Sequence, residues 1–367
     1  MGLITRQYGP NAKGSKLSIQ EMDNNLLYLN SLADYSVTNQ FYVDPARDNS
    51  GYEATGNAAT PFASVNDALT FINAGIANNT IQPGENNPIF IILMGDTTEN
   101  VVLNNGHIFL TSQNGNIHQP IYFTGTIHVE GGATGPSALD NNHFSITGLT
   151  ITPPANEKGI HFTGVNPQRL MLQSVWLQAS GTAGSGLYAD NTGVRSSDGK
   201  KSSVHGSDIK VSHNGTGDVY CFDIRSGSAD FSLVETSGAT QVGAVSGTGN
   251  VLSFTNSQLE ANGEVCVESY SGGVLSLTNT SIVNTNTGTS HGIWLHHPNC
   301  AAIVGQCYFD VRSGLTGSRA VNGITGTILV QASNLFAKTA ANPLVDTNRK
   351  ISKEITKIDL AATFQSV

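Results

Sequence analysis

Asp218 and Glu264 are the carboxylates of this chain whose spacing could support acid–base chemistry on a polysaccharide. Each stands one place before an apolar residue, Val219 or Val265. Those two residues belong with Ile160, Leu187 and Ile293 to a set of short strands that repeats along the chain. If the five apolar residues point inward in stacked strands, Asp218 and Glu264 lie two layers apart, about 10 Å. That is the far edge of the separation an inverting glycosidase uses for its acid and its base. On the same pattern the next residues, His161, Tyr188, Tyr220, Cys266 and Trp294, point outward and stack. A row of exposed rings suits the apolar face of a pyranose, and it equally suits a subunit interface. Two places along, the outward set is Thr163, Asp190, Phe222, Glu268 and His296, with Glu268 close enough to His296 to raise its basicity. No third polar group flanks the Asp218–Glu264 pair to tune it. The expectation is therefore a binding face rather than a catalytic one.

These residues need a scaffold, and a recurring unit supplies it. An apolar residue is followed two or three places later by a small one and five places later by a second apolar residue. The units are Ile146-Thr-Gly-Leu-Thr-Ile151, Leu172-Gln-Ser-Val-Trp-Leu177, Val204-His-Gly-Ser-Asp-Ile209, Phe254-Thr-Asn-Ser-Gln-Leu259, Leu277-Thr-Asn-Thr-Ser-Ile282, Val304-Gly-Gln-Cys-Tyr-Phe309 and Val330-Gln-Ala-Ser-Asn-Leu335, with a fainter copy at Leu233. A repeat at intervals of roughly 20 to 30 residues means stacked supersecondary units. The units are too short and too poor in helix formers to be helical. The pattern predicts an all-β chain, a parallel β-helix or β-solenoid, whose coils have at least two sides. The chirality of parallel crossovers makes it right-handed.

Composition agrees. Charged residues are 12% of the chain, about half the usual share, because like charges at equivalent positions of successive coils would stack and repel. The 40 glycines suit corners that need positive φ. A net charge of −9 with no basic run makes nucleic acid a poor partner. No stretch approaches a membrane span, and the start has no apolar signal region. His296-His297 is an adjacent pair on opposite faces of a strand, so it is a poor chelate; no metal or cofactor is expected. Cys221, Cys266, Cys300 and Cys307 form no CxxC pair and are expected as free thiols.

The first residues differ from the rest. Ser18 and Glu21 form a capping box for a short amphipathic helix with Ile19, Met22, Leu26 and Leu29 on one face. Next come Tyr42-Val-Asp44, an Asp/Gly/Asn loop, Thr60-Pro-Phe-Ala-Ser64, a helix over 63–72 with Ala68, Leu69 and Ile72 inward, and the strand Pro88-Ile-Phe-Ile-Ile-Leu-Met-Gly95. This order resembles the opening of pectate-lyase-like right-handed β-helices, particularly those of phage tailspikes and fibres. Segment 1–33 resembles the extreme N-terminus of phage virion proteins. The resemblance implies a capping helix on the open end of the solenoid and an N-terminal piece that attaches the chain to a particle, through the Ile19, Met22, Leu26 and Leu29 face.

The expected organisation is an attachment segment at 1–38, an entry strand and cap at 39–87, the solenoid at 88–335 and a C-terminal cap or tail at 336–367. The expected function is that of a virion structural protein, a tail spike or fibre made without a signal peptide. It would form a homotrimer, meet other virion proteins through its N-terminus and contact a host glycan or receptor. A polysaccharide depolymerase, hydrolase or lyase, and a capsid decoration protein are the alternatives.

Overall fold

The computed structural model describes residues 39–47, 54–117, 119–130, 142–166, 168–194, 199–215, 219–311, 318–323, 327–331, 333–337 and 357–360. Ile19, Met22, Leu26, Leu29 and Asp218 lie outside the described residues.

One coil shows how the chain is wound. The strand Val251–Thr255 turns sharply into Gln258–Ala261, crosses to Val265–Tyr270, and returns one level on as Val274–Thr278. Val274–Thr278 then pairs with Val251–Thr255, parallel and in register. Each coil thus has three strands. The first two sets form a 19-stranded sheet and the third a nine-stranded sheet, with parallel pairing from level to level. The last described strand, Lys357–Leu360, adds one more level on Asn334–Ala337.

The expected inward ladder exists with two corrections. Ile146, Leu172, Gly206, Phe231, Phe254, Leu277, Val304 and Val330 are successive partners. Val204 stands one step aside, buried on the adjacent ladder between Leu170 and Ala229. Leu233 is 56% exposed and belongs to the corner. Leu233 is that corner because it stands two places after its own inward residue, Phe231, and holds a φ of 54°. Gly206 occupies the rung where an apolar side chain was expected, and a Cβ there would meet the Phe231 ring at 2.5 Å. The Phe231 ring therefore fills the volume that Gly206 leaves.

The position two places after each inward residue from Ile146 to Val304 is a corner. Gly148, Ser174, Asp208, Leu233, Asn256, Asn279 and Gln306 all hold φ between 48° and 68°. Only glycine takes such angles at no steric cost; asparagine and aspartate tolerate them because their side chains bond locally. Here they bond along the stack instead: Asn279 Nδ2 donates to Asn256 Oδ1 at 2.7 Å, and Ser174 Oγ donates to Asp208 Oδ2 at 2.6 Å.

One helix, α1 (Val65–Ala77), closes the open end, burying Val65, Ala68, Leu69 and Ile72. Ser64 caps it by accepting from the Asp67 amide. Glu99, from the first coil, accepts from the Val65 and Asn66 amides at 2.9 and 3.0 Å and from the Thr97 hydroxyl at 2.7 Å. A carboxylate on free amides at a helix N-terminus gains from charge-assisted bonds and from the helix dipole. Glu99→Ala is expected to cost about 2 kcal/mol. Hydrogen exchange should show the loss first in α1 amides, and unchanged α1 protection would refute this role.

Candidate functional site

The nine-stranded sheet carries the site, and its strands form rungs one to nine: Val101–Leu103, Ile127–Glu130, Lys158–Gly164, Ser185–Asn191, Tyr220–Ile224, Gln241–Ser246, Val265–Tyr270, His291–Leu295 and Arg319–Gly323. Each rung from the third onward begins with a kink. Paired residues flank Gly159, Gly186, Cys221, Val242, Cys266, Gly292 and Ala320, while these positions themselves are skipped and buried. An inward residue follows directly: Ile160, Leu187, Phe222, Gly243, Val267, Ile293 and Val321. Two successive residues therefore face the core, which breaks strict alternation.

The kink corrects the inward set: Val219 and Val265 are buried, but Phe222 and Val267 are the partners of Leu187 and Ile293. It also corrects the outward set. Cys266 and Phe222 are wholly buried in the core rather than outward. Tyr220 pairs with Gln241, one ladder aside from Tyr188. The outward ladder runs His128, His161, Tyr188, Asp223, Ala244, Glu268, Trp294, Asn322. Two residues along each strand stand Glu130, Thr163, Asp190, Arg225, Ser246, Tyr270 and His296. Glu264 is exposed in the turn before rung seven, and its carbonyl accepts from the His291 amide at 2.7 Å. Of the expected residues the sheet brings together His161 with Tyr188, and Tyr220 with Glu268, His296 and Trp294.

At rungs two to four the rings of His128 and His161 stack at 4.3 Å and 3°, and Tyr188 meets His161 edge-on at 5.0 Å. Lys158 Nζ lies 3.3 Å from the centre of the Tyr188 ring. Burial, reinforced by His128 and Lys158, pushes the His161 pKa down to about 4. The His161 ring is therefore neutral at physiological pH.

At rungs five to eight a second cluster surrounds Glu268, which is only 2% exposed. Its Oε1 accepts from the Tyr220 hydroxyl, and its Oε2 lies 2.7 Å from His296 Nε2. The Tyr220 and Tyr270 hydroxyls are 3.3 Å apart. His296 is sandwiched between the rings of Tyr270 at 4.2 Å and Trp294 at 4.4 Å. Burial, then the Glu268 charge, drives the Tyr220 pKa upward, so Tyr220 stays a hydroxyl donor. Between the clusters Asp223 pairs with Arg225, Oδ1 to Nε at 2.6 Å and Oδ2 to Nη2 at 3.1 Å. Burial raises the Asp223 pKa against the opposing pull of Arg225.

Asp223, Arg225, Tyr270 and His128 are the residues that sequence reasoning missed. Among the described residues no group of three His, Cys, Asp or Glu is placed to hold a metal ion. All four cysteines are free and buried, with Cys221 pushed up to about 12 by burial. They are packing residues.

No protein-family model matches this sequence, and no curated protein matches it. Among solved structures, the fold is similar to that in a crystal structure of the pectate lyase Pel9A, with a TM-score of 0.52 over 89% of this chain and 82% of that one, at 12% identity. At that identity the likeness shows the fold alone. This chain is a right-handed parallel β-helix.

Proposed function

We propose that this chain is a phage virion structural protein, a tail spike or fibre whose nine-stranded face grips a host-surface polysaccharide running along the solenoid axis. The observation that carries the reading is the row of rings on that face. His128, His161 and Tyr188 form one contiguous platform, and Tyr270, His296 and Trp294 form another. Rings fixed by stacking and by the Glu268 bonds lose little freedom when a sugar packs on them, and such a preorganised surface binds with less entropic cost. The resemblance of segment 1–33 to virion N-termini supports the setting, with attachment to the particle through Ile19, Met22, Leu26 and Leu29 and assembly as a homotrimer.

Trp294→Ala tests this reading directly. It removes one platform ring, and adsorption of the purified protein to host cells is expected to fall on the order of tenfold. Adsorption unchanged by Trp294→Ala, with the rings buried between subunits, would replace the glycan reading by an oligomer interface.

A further inference from the structure

No hydrogen bond fixes the Trp294 ring, whose Nε1 is buried without a partner. Its orientation therefore rests on what packs against it. His296 stacks on it at 4.4 Å, and His291, at the start of the same rung, meets it edge-on at 5.2 Å and 72°. Asn322, on rung nine, is its neighbour on the outward ladder. His296 is anchored in turn by Glu268. The anchor of His291 lies on the other side, in rung nine.

That anchor is a directed chain of hydrogen bonds. Arg319 Nη1 donates to Asn322 Oδ1 at 3.2 Å, and Asn322 Nδ2 lies 3.0 Å from His291 Nε2. A guanidinium can only donate, so the Arg319 bond fixes which end of the Asn322 amide carries the oxygen. Nδ2 must then face His291 and donate, and Nε2 must accept. The ring proton is left on the buried Nδ1. The chain of bonds thus accommodates one form of His291, a neutral ring with a single tautomer.

A second proton would go on Nε2 and set N–H against N–H. Asn322 cannot answer by flipping, because its NH2 would then face the guanidinium of Arg319. The surroundings add to the conflict. Burial opposes protonation of His291 most, and Arg319, from rung nine, and His296, from its own strand, oppose it as well. On rung seven, His291 pairs with Val265 and its amide donates to the Glu264 carbonyl, while the Glu268 carboxylate is engaged by Tyr220 and His296. From the strand Ser281–Asn284, the Asn284 side-chain amide donates to the His291 carbonyl. The Arg319 carbonyl favours the charged ring, but burial prevails and pushes the pKa down to about 4.

We propose that Arg319, Asn322 and His291 form a positioning relay that holds the Trp294 ring in place for the glycan, and that one proton on His291 breaks the relay and frees the ring. This rests on the glycan-binding reading of the same face, and it adds a grip that is closed at neutral pH and open in acid. The sign follows from the tautomer. The neutral ring accepts from Asn322, so positioning is complete above the His291 pKa and is lost as pH falls through about 4.

The sequence holds two tryptophans, Trp176 and Trp294, so the emission of a Trp176→Phe chain reports on Trp294 alone. Emission, far-ultraviolet circular dichroism and binding to a panel of purified bacterial lipopolysaccharides and capsular polysaccharides are measured against pH on the same samples. Emission should change near pH 4 with the dichroism retained, and binding should become on the order of tenfold weaker below that point, the loss expected for Trp294→Ala. Asn322→Asp replaces the donor by an acceptor that a protonated His291 can bond, which raises the His291 pKa, so both transitions should move to higher pH. His291→Gln keeps an acceptor for Asn322 but takes up no proton, so both should disappear. A merely structural role for either residue would lower stability and leave the midpoint in place. Transitions that stay put in Asn322→Asp, persist in His291→Gln or coincide with loss of the dichroism overturn the relay, as does binding that is constant across the emission change. In those cases a polysaccharide bound at pH 7 leaves the binding face standing. Absence of binding at pH 7 to every polysaccharide would instead remove the underlying reading, while the emission would still decide whether His291 holds the ring.

Discussion

Leu277→Asp is expected to leave no soluble folded chain. Leu277 is wholly buried, and its rung partners are Phe254 on one side and Val304 on the other, both also wholly buried. An aspartate there loses the leucine's packing and places an unpaired carboxylate between two apolar levels. Removing the side chain alone costs about 2 to 5 kcal/mol, and the buried charge adds several more. A solenoid is vulnerable because each level is held only by its neighbours, so one failed rung uncouples the coils on either side. Expression as insoluble material, or a cooperative unfolding transition far below that of the parent, is the anticipated result. Wild-type stability would mean that this ladder is not the core.

Acid should destabilise the protein through its histidines. His107, His143, His161, His205, His213 and His291 all have pKa values lowered first by burial, to about 4 for His161 and His291. In the unfolded chain the same groups protonate near the ordinary histidine value of about 6.5. Between those values the unfolded state binds more protons than the folded state, so stability falls as pH drops from about 6.5 towards 4. For His291, 4% exposed, the contribution is at most about 3 kcal/mol. Asp223, with a raised pKa, acts in the opposite direction but is a single group. Urea titrations at successive pH values should show the midpoint falling through this window, and His291→Gln should flatten the fall. A midpoint independent of pH from 7 to 4 would contradict the burial of these rings.

The solenoid was legible because its information is repeated. Seven units share one spacing, and an error in one, such as Val204 for Gly206, leaves the ladder intact. The corner was legible only as a small residue, since Asn256 and Asn279 resemble turn residues while Leu233 does not. The site was harder. At rungs three, four and eight a glycine marks the kink, and there His161, Tyr188 and Trp294 were placed outward from sequence. At rungs five and seven Cys221 and Cys266 take the kink without that signal, so the phase slipped to Val219 and Val265. That slip hid Asp223 and cast Cys266 and Phe222 as outward. Glu268 and His296 were paired from sequence, but the bond that Tyr220 makes to Glu268 crosses rung six. Rung six itself, Gln241–Ser246, carries no glycine lead and was missed.

The proposed polysaccharide site lies on the outward ladder of the nine-stranded sheet. Its most direct test is a crystal soaked with oligosaccharides prepared from a bacterial surface polysaccharide that the protein binds. Density for sugar rings lying along the solenoid axis, against His161 and Tyr188 at one end and Trp294 at the other, is the result the account predicts. Sugar bound on the 19-stranded sheet, with this ladder untouched, would contradict it.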